Sequence, residues 1–107
     1  MSLTVVLAES MSLAEHLGLD PRRFLEAIGT GAVGAPYAQI KGELMAAGEY
    51  PPSFPVRLAL KDARLVLEAA QARDLELLVA AAATERYASA VDAGHGEEDM
   101  SAVRRVT

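Results

Sequence analysis

Residues 54–70 constrain the fold most, because they predict a single long helix with two different faces. A polar stripe on this helix begins with three basic residues, Arg57, Lys61 and Arg64. Asp62 shares a ridge with apolar neighbours, so its carboxylate is expected to need a partner. The apolar residues recur at steps of four and three, which places them on one core-facing stripe: Val56, Leu60, Ala63, Leu67 and Ala70.

Composition favours one all-helical domain. A chain of 107 residues suits a single modest core. Hydrophobic residues make up 51% of the chain but aromatic residues only 5%, and alanine supplies much of the apolar share, which favours closely packed helices over a β-sandwich. We therefore expect an all-α bundle of about five to six helices.

Charge and residue usage exclude several functions. The net charge of −5 argues against a nucleic-acid module, which needs a broad basic surface. The absence of cysteine rules out disulfides and thiolate metal sites and favours a cytoplasmic location. The two histidines, His16 and His95, lie far apart without carboxylates at ligand spacing, so no metal site is predicted. No apolar run approaches the roughly 18 residues of a membrane span.

Helix boundaries can be placed from capping residues. The first helix runs to about Leu17, Asp20-Pro21 starts a second, and a third runs from Pro36 to Gly48. A proline-rich connector then leads into the central helix, from about Pro55 to Ala72. Asp74 is the predicted N-cap of the next helix, and Asp99 that of a last short one.

Two helices carry specific burial predictions. In the third helix, the apolar residues Tyr37, Ile40, Leu44 and Met45 are core candidates, whereas Lys41 and Glu43 are expected to face water. The segment from Leu75 to Ala83 is apolar nearly all round, which predicts a helix that starts in the middle of the bundle.

Two glycine-rich stretches invite a functional interpretation. Residues 29–34 match Gly-x-Gly-x-x-Gly, but a phosphate-binding loop of that kind follows a buried strand, and this one follows a helical pattern. His95 lies between two glycines and is either an exposed functional residue or part of a plain linker between helices. We interpret both stretches as helix-to-helix connections.

Three motifs resemble the C-terminal helical domain of the β-hydroxyacid dehydrogenases. This family contains 3-hydroxyisobutyrate dehydrogenases and tartronate semialdehyde and glyoxylate reductases, and it is related to 6-phosphogluconate dehydrogenase. The motifs are Glu9 to Asp20, with Leu13-Ala14-Glu15 and Gly18-Leu19-Asp20; Phe54 to Lys61-Asp62; and Gly94-His95-Gly96 with Asp99-Met100-Ser101-Ala102. The second motif is the most specific. Together the motifs span nearly the whole chain.

The resemblance implies an oxidoreductase that uses NAD or NADP. Family members combine a Rossmann domain with this helical domain and bind a small β-hydroxyacid or semialdehyde in the cleft between them. Lys61 matches a family lysine that lies against the cofactor, and Phe54 matches a position near it. Asp62 either orients neighbours at this site or forms a structural ion pair with Arg57 or another helix.

The resemblance also implies that the chain is part of a larger enzyme. The family's catalytic lysine would lie upstream of Met1, so we expect residues 1–107 to be a helical domain truncated in its first helix, with the N-terminal Rossmann domain absent. Such a chain is expected to be inactive alone and to form homo-oligomers. The alternative is a free-standing helical module for protein binding or dimerisation, without catalysis.

Overall fold

The computed structural model describes residues 1–107 and contains no β-sheet. The only strand-like contact is an isolated antiparallel bridge between Pro55 and Asp99. Five α-helices are followed by a 3-10 helix at Met100–Val106: α1 (Ser2–His16), α2 (Pro21–Gly29), α3 (Pro36–Ala47), α4 (Val56–Gln71) and α5 (Leu78–Asp92). The predicted all-α bundle is confirmed. None of the helices combines the length and apolar composition that crossing a lipid bilayer requires.

Local capping explains three of the helix boundaries. Asp20 Oδ1 accepts a hydrogen bond from the Arg22 amide at 2.9 Å, and Pro21 occupies the first turn of α2, as predicted. Gly48 ends α3 in the left-handed region, with φ of 69°, and its amide donates to the Leu44 carbonyl. The cap of the 3-10 helix is also as predicted, since Asp99 accepts from the Ser101 amide.

The core forms where α1, α4, α5 and the 3-10 helix pack together. On α4 the predicted apolar stripe is buried at Val56, Leu60, Ala63 and Ala70, and half-buried at Leu67. Tyr87 of α5 is fully buried, and its hydroxyl donates to the Met1 carbonyl at 2.8 Å. This bond satisfies a phenol that would be costly to bury without a partner.

The start of α5 differs from the prediction. Asp74 does not cap the helix; it sits in a turn with φ of 54°, and α5 begins at Leu78 without a side-chain cap. The apolar residues there are exposed rather than central: Leu75 by 58%, Leu78 by 71% and Val79 by 65%. The start of α5 lies at the periphery of the bundle. Its apolar composition therefore does not mean that its side chains are buried.

The inward face of α3 also differs from the prediction. Ile40 is 62% exposed, and Tyr37 is only partly covered. The buried residues are Ala38, Lys41, Gly42 and Met45, which follow a helical spacing of three, one and three. Gly42 allows this packing, because a Cβ there would lie 2.3 Å from Leu25 Cδ2. The close approach of α2 therefore determines which face of α3 is buried. Lys41 lies on that face and is buried, not exposed to water.

The glycine-rich residues 29–34 connect α2 to α3. A Cβ at Gly34 would lie 2.3 Å from the Ile28 carbonyl oxygen, so the absence of a side chain there is required by backbone packing. The turn closes with a hydrogen bond from the Gly34 amide to the Gly31 carbonyl. Packing within the turn therefore accounts for the glycine at position 34.

Candidate cofactor-binding surface

Two motifs that are distant in sequence meet at the start of α4. The amide of Asp99 donates to the Tyr50 carbonyl at 3.2 Å, and the amide of Met100 donates to the Phe54 carbonyl at 2.7 Å. In the other direction, the Val56 amide donates to the Glu98 carbonyl at 2.9 Å. The connector before α4 is thus bonded to the segment before the 3-10 helix.

These contacts also cap α4. A helix leaves its first amides without partners inside the helix, and Pro55 offers no side-chain cap. The Glu98 carbonyl receives the Val56 amide, and the Gly96 carbonyl receives the Arg57 amide at 3.0 Å. A neighbouring backbone segment therefore replaces the usual capping side chain, which fixes where α4 begins.

The Asp99 carboxylate is fully buried at this junction. Lys41 Nζ lies 2.9 Å and 3.0 Å from its two oxygens. Its Oδ1 also accepts from the Phe54 amide at 3.1 Å, and its Oδ2 from the Ser101 amide at 3.0 Å and the Ser101 hydroxyl at 2.5 Å. Burial alone would raise the pKa of Asp99, but hydrogen bonds from Ser101 and Lys41 outweigh it and lower that pKa.

Lys41 is a functional candidate that the sequence analysis placed in water. Its side chain is only 8% exposed, and it reaches Asp99 from the inward face of α3. The Nζ also lies 5.5 Å from the centre of the Tyr37 ring. The available signal was its spacing from Ala38 and Met45, which places all three on one face.

Phe54 and Lys61 are both exposed, one immediately before α4 and the other on it. Phe54 immediately precedes Pro55 and is 38% exposed, with its backbone amide and carbonyl both bonded to the Asp99–Met100 segment. Lys61 is exposed on α4, seven residues or about two helical turns later. Lys61 forms no ion pair, and Arg64, one turn beyond it, forms none either.

Asp62 has no ion-pair partner, although its position beside apolar residues suggested that it would need one. It is exposed, and Arg57, one of the partners considered for it, instead bonds Glu97 at 2.7 Å. The alternative of a structural ion pair with Arg57 or another helix is therefore wrong: the loop at residues 96–98 folds against the first turn of α4 and brings Glu97 to Arg57. The Asp62 carboxylate is left free of ion pairs beside Lys61.

His95 braces the loop from the other side. Its Nδ1 lies 2.5 Å from Glu98 Oε1, and Glu98 Oε2 accepts from Arg105 at 3.0 Å. The Arg105 guanidinium in turn lies 4.8 Å from the centre of the Tyr50 ring, and burial raises the pKa of that tyrosine. His95 therefore has a structural role in holding the 94–99 segment.

Three exposed side chains along the first half of α4 have the chemistry that a binding site needs. They are a lysine without an ion-pair partner, an aromatic ring just before the helix and a carboxylate without an ion-pair partner: Lys61, Phe54 and Asp62. No group of three or more histidine or acidic side chains is placed to hold a metal ion. A lysine and an aromatic ring suit an anionic ligand with a planar ring system.

Comparisons with known proteins identify the family of this chain. Residues 2–107 match the sequence model described as the NAD-binding domain of NADP-dependent 3-hydroxyisobutyrate dehydrogenase. The chain is 38% identical over 102 residues to glyoxylate/succinic semialdehyde reductase 2, chloroplastic, from Arabidopsis thaliana. That alignment covers 95% of this chain and 28% of the relative.

Solved structures share the fold. A 3-hydroxyisobutyrate dehydrogenase from Salmonella typhimurium superposes with a TM-score of 0.93 at 28% identity, covering 99% of this chain and 38% of that one. The Mycobacterium tuberculosis 3-hydroxyisobutyrate dehydrogenase, solved with L-serine, gives a TM-score of 0.81 at 27% identity, covering 98% of this chain and 38% of that one.

The resemblance first seen in three short motifs is thus confirmed across nearly every residue. The chain spans 28% to 38% of the length of these three relatives. By its sequence and its fold, the chain belongs to the family of the NAD-binding domain of NADP-dependent 3-hydroxyisobutyrate dehydrogenase.

Proposed function

We propose that this chain completes the substrate and cofactor cleft of an NAD(P)-dependent β-hydroxyacid dehydrogenase or reductase. The observation that carries the proposal is Lys61. It is an exposed cation without an ion-pair partner, on a helix whose start is fixed by backbone hydrogen bonds. Its position also matches the family's lysine beside the cofactor. A cation that projects from a fixed helix and is not neutralised by the protein suits an anionic cofactor.

The division of labour follows from the family. The nicotinamide cofactor, NAD or NADP, supplies hydride transfer when it is bound. In the proposal Lys61 neutralises an anionic part of the cofactor, the Phe54 ring packs against it and the Asp62 carboxylate orients neighbouring donors. The substrate is a small β-hydroxyacid or its semialdehyde, as the names of the relatives suggest.

Two parts of the reaction belong to other residues. We propose that an N-terminal Rossmann domain of the parent enzyme binds most of the cofactor, and that the proton-transferring lysine also lies outside residues 1–107. The isolated chain is then inactive and binds cofactor weakly. A cytoplasmic location also remains a proposal and rests on the cysteine-free composition.

Kinetics of the enzyme that contains this chain test the proposal. Lys61→Ala should raise the KM for cofactor or lower kcat by about tenfold, the effect of one charge-assisted contact. Arg23→Ala, which removes another exposed cation without an ion pair, on α2, is the matched control and should change neither. Kinetics of Lys61→Ala equal to the control would remove Lys61 from the site.

One observation favours a protein-binding or dimerisation role. Leu78 and Val79 at the start of α5 border a groove shared with Val6 of α1, and all three are more than half exposed. We propose that this surface supports homo-oligomers, whether or not the chain serves catalysis. A monomeric sedimentation profile at micromolar concentration would count against self-association of the isolated chain.

A further inference from the structure

We propose that the buried Lys41–Asp99 ion pair positions the cofactor-binding surface by fixing the Phe54 backbone and the start of α4. The inference deepens the proposed function and rests on it. In this proposal neither residue touches the cofactor. Both act through Phe54 and through the helix that carries Lys61.

The pair joins three separate segments at one carboxylate. Lys41 comes from α3, Phe54 from the connector before α4, and Ser101 from the 3-10 helix. Five hydrogen bonds from these residues end on the two oxygens of Asp99. A carboxylate can accept hydrogen bonds from several donors at once, so Asp99 serves as the point at which the three segments are aligned.

A purely structural core has no need of this pair. Burying two charges is costly, and apolar residues of similar volume often stabilise a fold equally well. Every other ion pair in the chain has at least one partner that is more than a quarter exposed, whereas this one is 8% and 0% exposed. Unlike an apolar pair, the carboxylate makes a directional contact with the connector, because it accepts a hydrogen bond from the Phe54 amide at 3.1 Å.

Phe54 is where the pair meets the proposed site. Its amide bonds Asp99 and its carbonyl accepts from Met100, so both backbone groups are held while its ring stays 38% exposed. Two residues later the Val56 amide bonds Glu98, immediately before Asp99. Loosening Asp99 should therefore release the ring and the start of α4 together.

The test uses Asp99→Asn, Lys41→Met and the double variant Lys41→Met/Asp99→Asn. Either single change leaves a buried charge alone, whereas the double variant leaves none and should fold even if the singles do not. Arg22→Met/Glu43→Gln is the matched control, because that ion pair also reaches α3 but is half exposed. Hydrogen exchange is measured on the chain, and kinetics on the enzyme that contains it.

We expect the Phe54 amide of the double variant to exchange about tenfold or more faster, the loss of a charge-assisted hydrogen bond. The KM for cofactor should rise by a similar factor, with a smaller change in kcat. The control should show neither effect. Exchange that is accelerated at Phe54 more than elsewhere in the core supports positioning, because a general loss of stability would accelerate exchange throughout the core.

Two results would overturn the inference. Phe54 exchange in the double variant equal to that of the control would show that the pair does not hold the connector. Faster Phe54 exchange with an unchanged cofactor KM would show that the pair braces the fold without governing the surface. Failure of the proposed function is recognised separately, by Lys61→Ala leaving the kinetics unchanged.

Discussion

The junction around Asp99 buries charged side chains, whereas the start of α5 exposes apolar ones. Each is the reverse of the usual placement in a folded domain. At the junction a lysine and an aspartate are buried among helices, and every oxygen of the carboxylate is bonded. At the start of α5, Leu75, Leu78 and Val79 are mostly exposed. A buried polar group is held by partners within the chain, whereas an exposed apolar group has no partner there. The polar contacts of the first region are complete within this chain, whereas the apolar side chains of the second are not covered by it.

The largest expected effect on stability comes from removing one partner of the buried ion pair at the Asp99 junction. Lys41→Met leaves the Asp99 carboxylate buried without its cation and should lower the free energy of unfolding by about 3–5 kcal/mol. Lys41→Met/Asp99→Asn removes both charges and should cost less than the single change. Urea unfolding followed by circular dichroism measures both. A double variant that is less stable than the single one would contradict this account.

Overpacking beside the pair should have the next largest effect. Gly42→Ala places a methyl group 2.3 Å from Leu25 Cδ2 and 2.8 Å from Cδ1, and Leu25 is buried. The clash should lower the free energy of unfolding by about 1–3 kcal/mol. Gly31→Ala is the control, because its nearest neighbour would lie at 3.6 Å. Equal melting temperatures for the two variants would show that α2 and α3 are not tightly packed.

Acid should weaken the same junction selectively. The folded pKa of Asp99 lies below its ordinary value of 3.8, so its contribution is fully present above that pH and is lost as the pH falls through the lowered pKa. The difference in stability between the wild-type chain and Lys41→Met/Asp99→Asn should therefore shrink at acid pH. Chemical unfolding at a series of pH values between about 2 and 7 measures it. A constant difference would exclude Asp99 as the titrating group.

The smallest effect on stability is expected at the start of α5. Leu78→Ser changes a side chain that is 71% exposed, so the free energy of unfolding should shift by no more than about 0.5 kcal/mol. Self-association, by contrast, should weaken, because the groove beside Val6 loses an apolar wall. Analytical ultracentrifugation of Leu78→Ser beside Leu17→Ser, an exposed leucine at the far end of α1, separates this surface from general hydrophobicity. Equal association of the two variants would argue against a specific interface.

The same contrast explains what the sequence could predict. Helix number, the caps at Asp20 and Asp99 and the core stripe of α4 follow from local chemistry, and the structure confirms them. The inward face of α3 does not, because it is set by Gly42 meeting Leu25 of another helix. The exposed start of α5 could not be foreseen either, since apolar composition does not say whether other residues of the same chain cover a helix.

The candidate site divides in the same way. Phe54, Lys61 and Asp62 are predicted through the family motif, and all three are exposed at the start of α4 or along it. Lys41 was missed because a lysine is rarely fully buried. The partner that explains it, Asp99, is 58 residues away, and no local pattern connects the two.

The backbone cap of α4 has a consequence for the order of folding. The carbonyls that receive its first amides belong to Gly96 and Glu98, about forty residues further along the chain. During synthesis α4 emerges well before them, so its first turn has no partner until the end of the chain has appeared. Synthesis of the roughly forty residues in between takes about 2–8 seconds, which is far longer than forming a helix. The helix that carries Lys61 should therefore form early and reach its final place among the last.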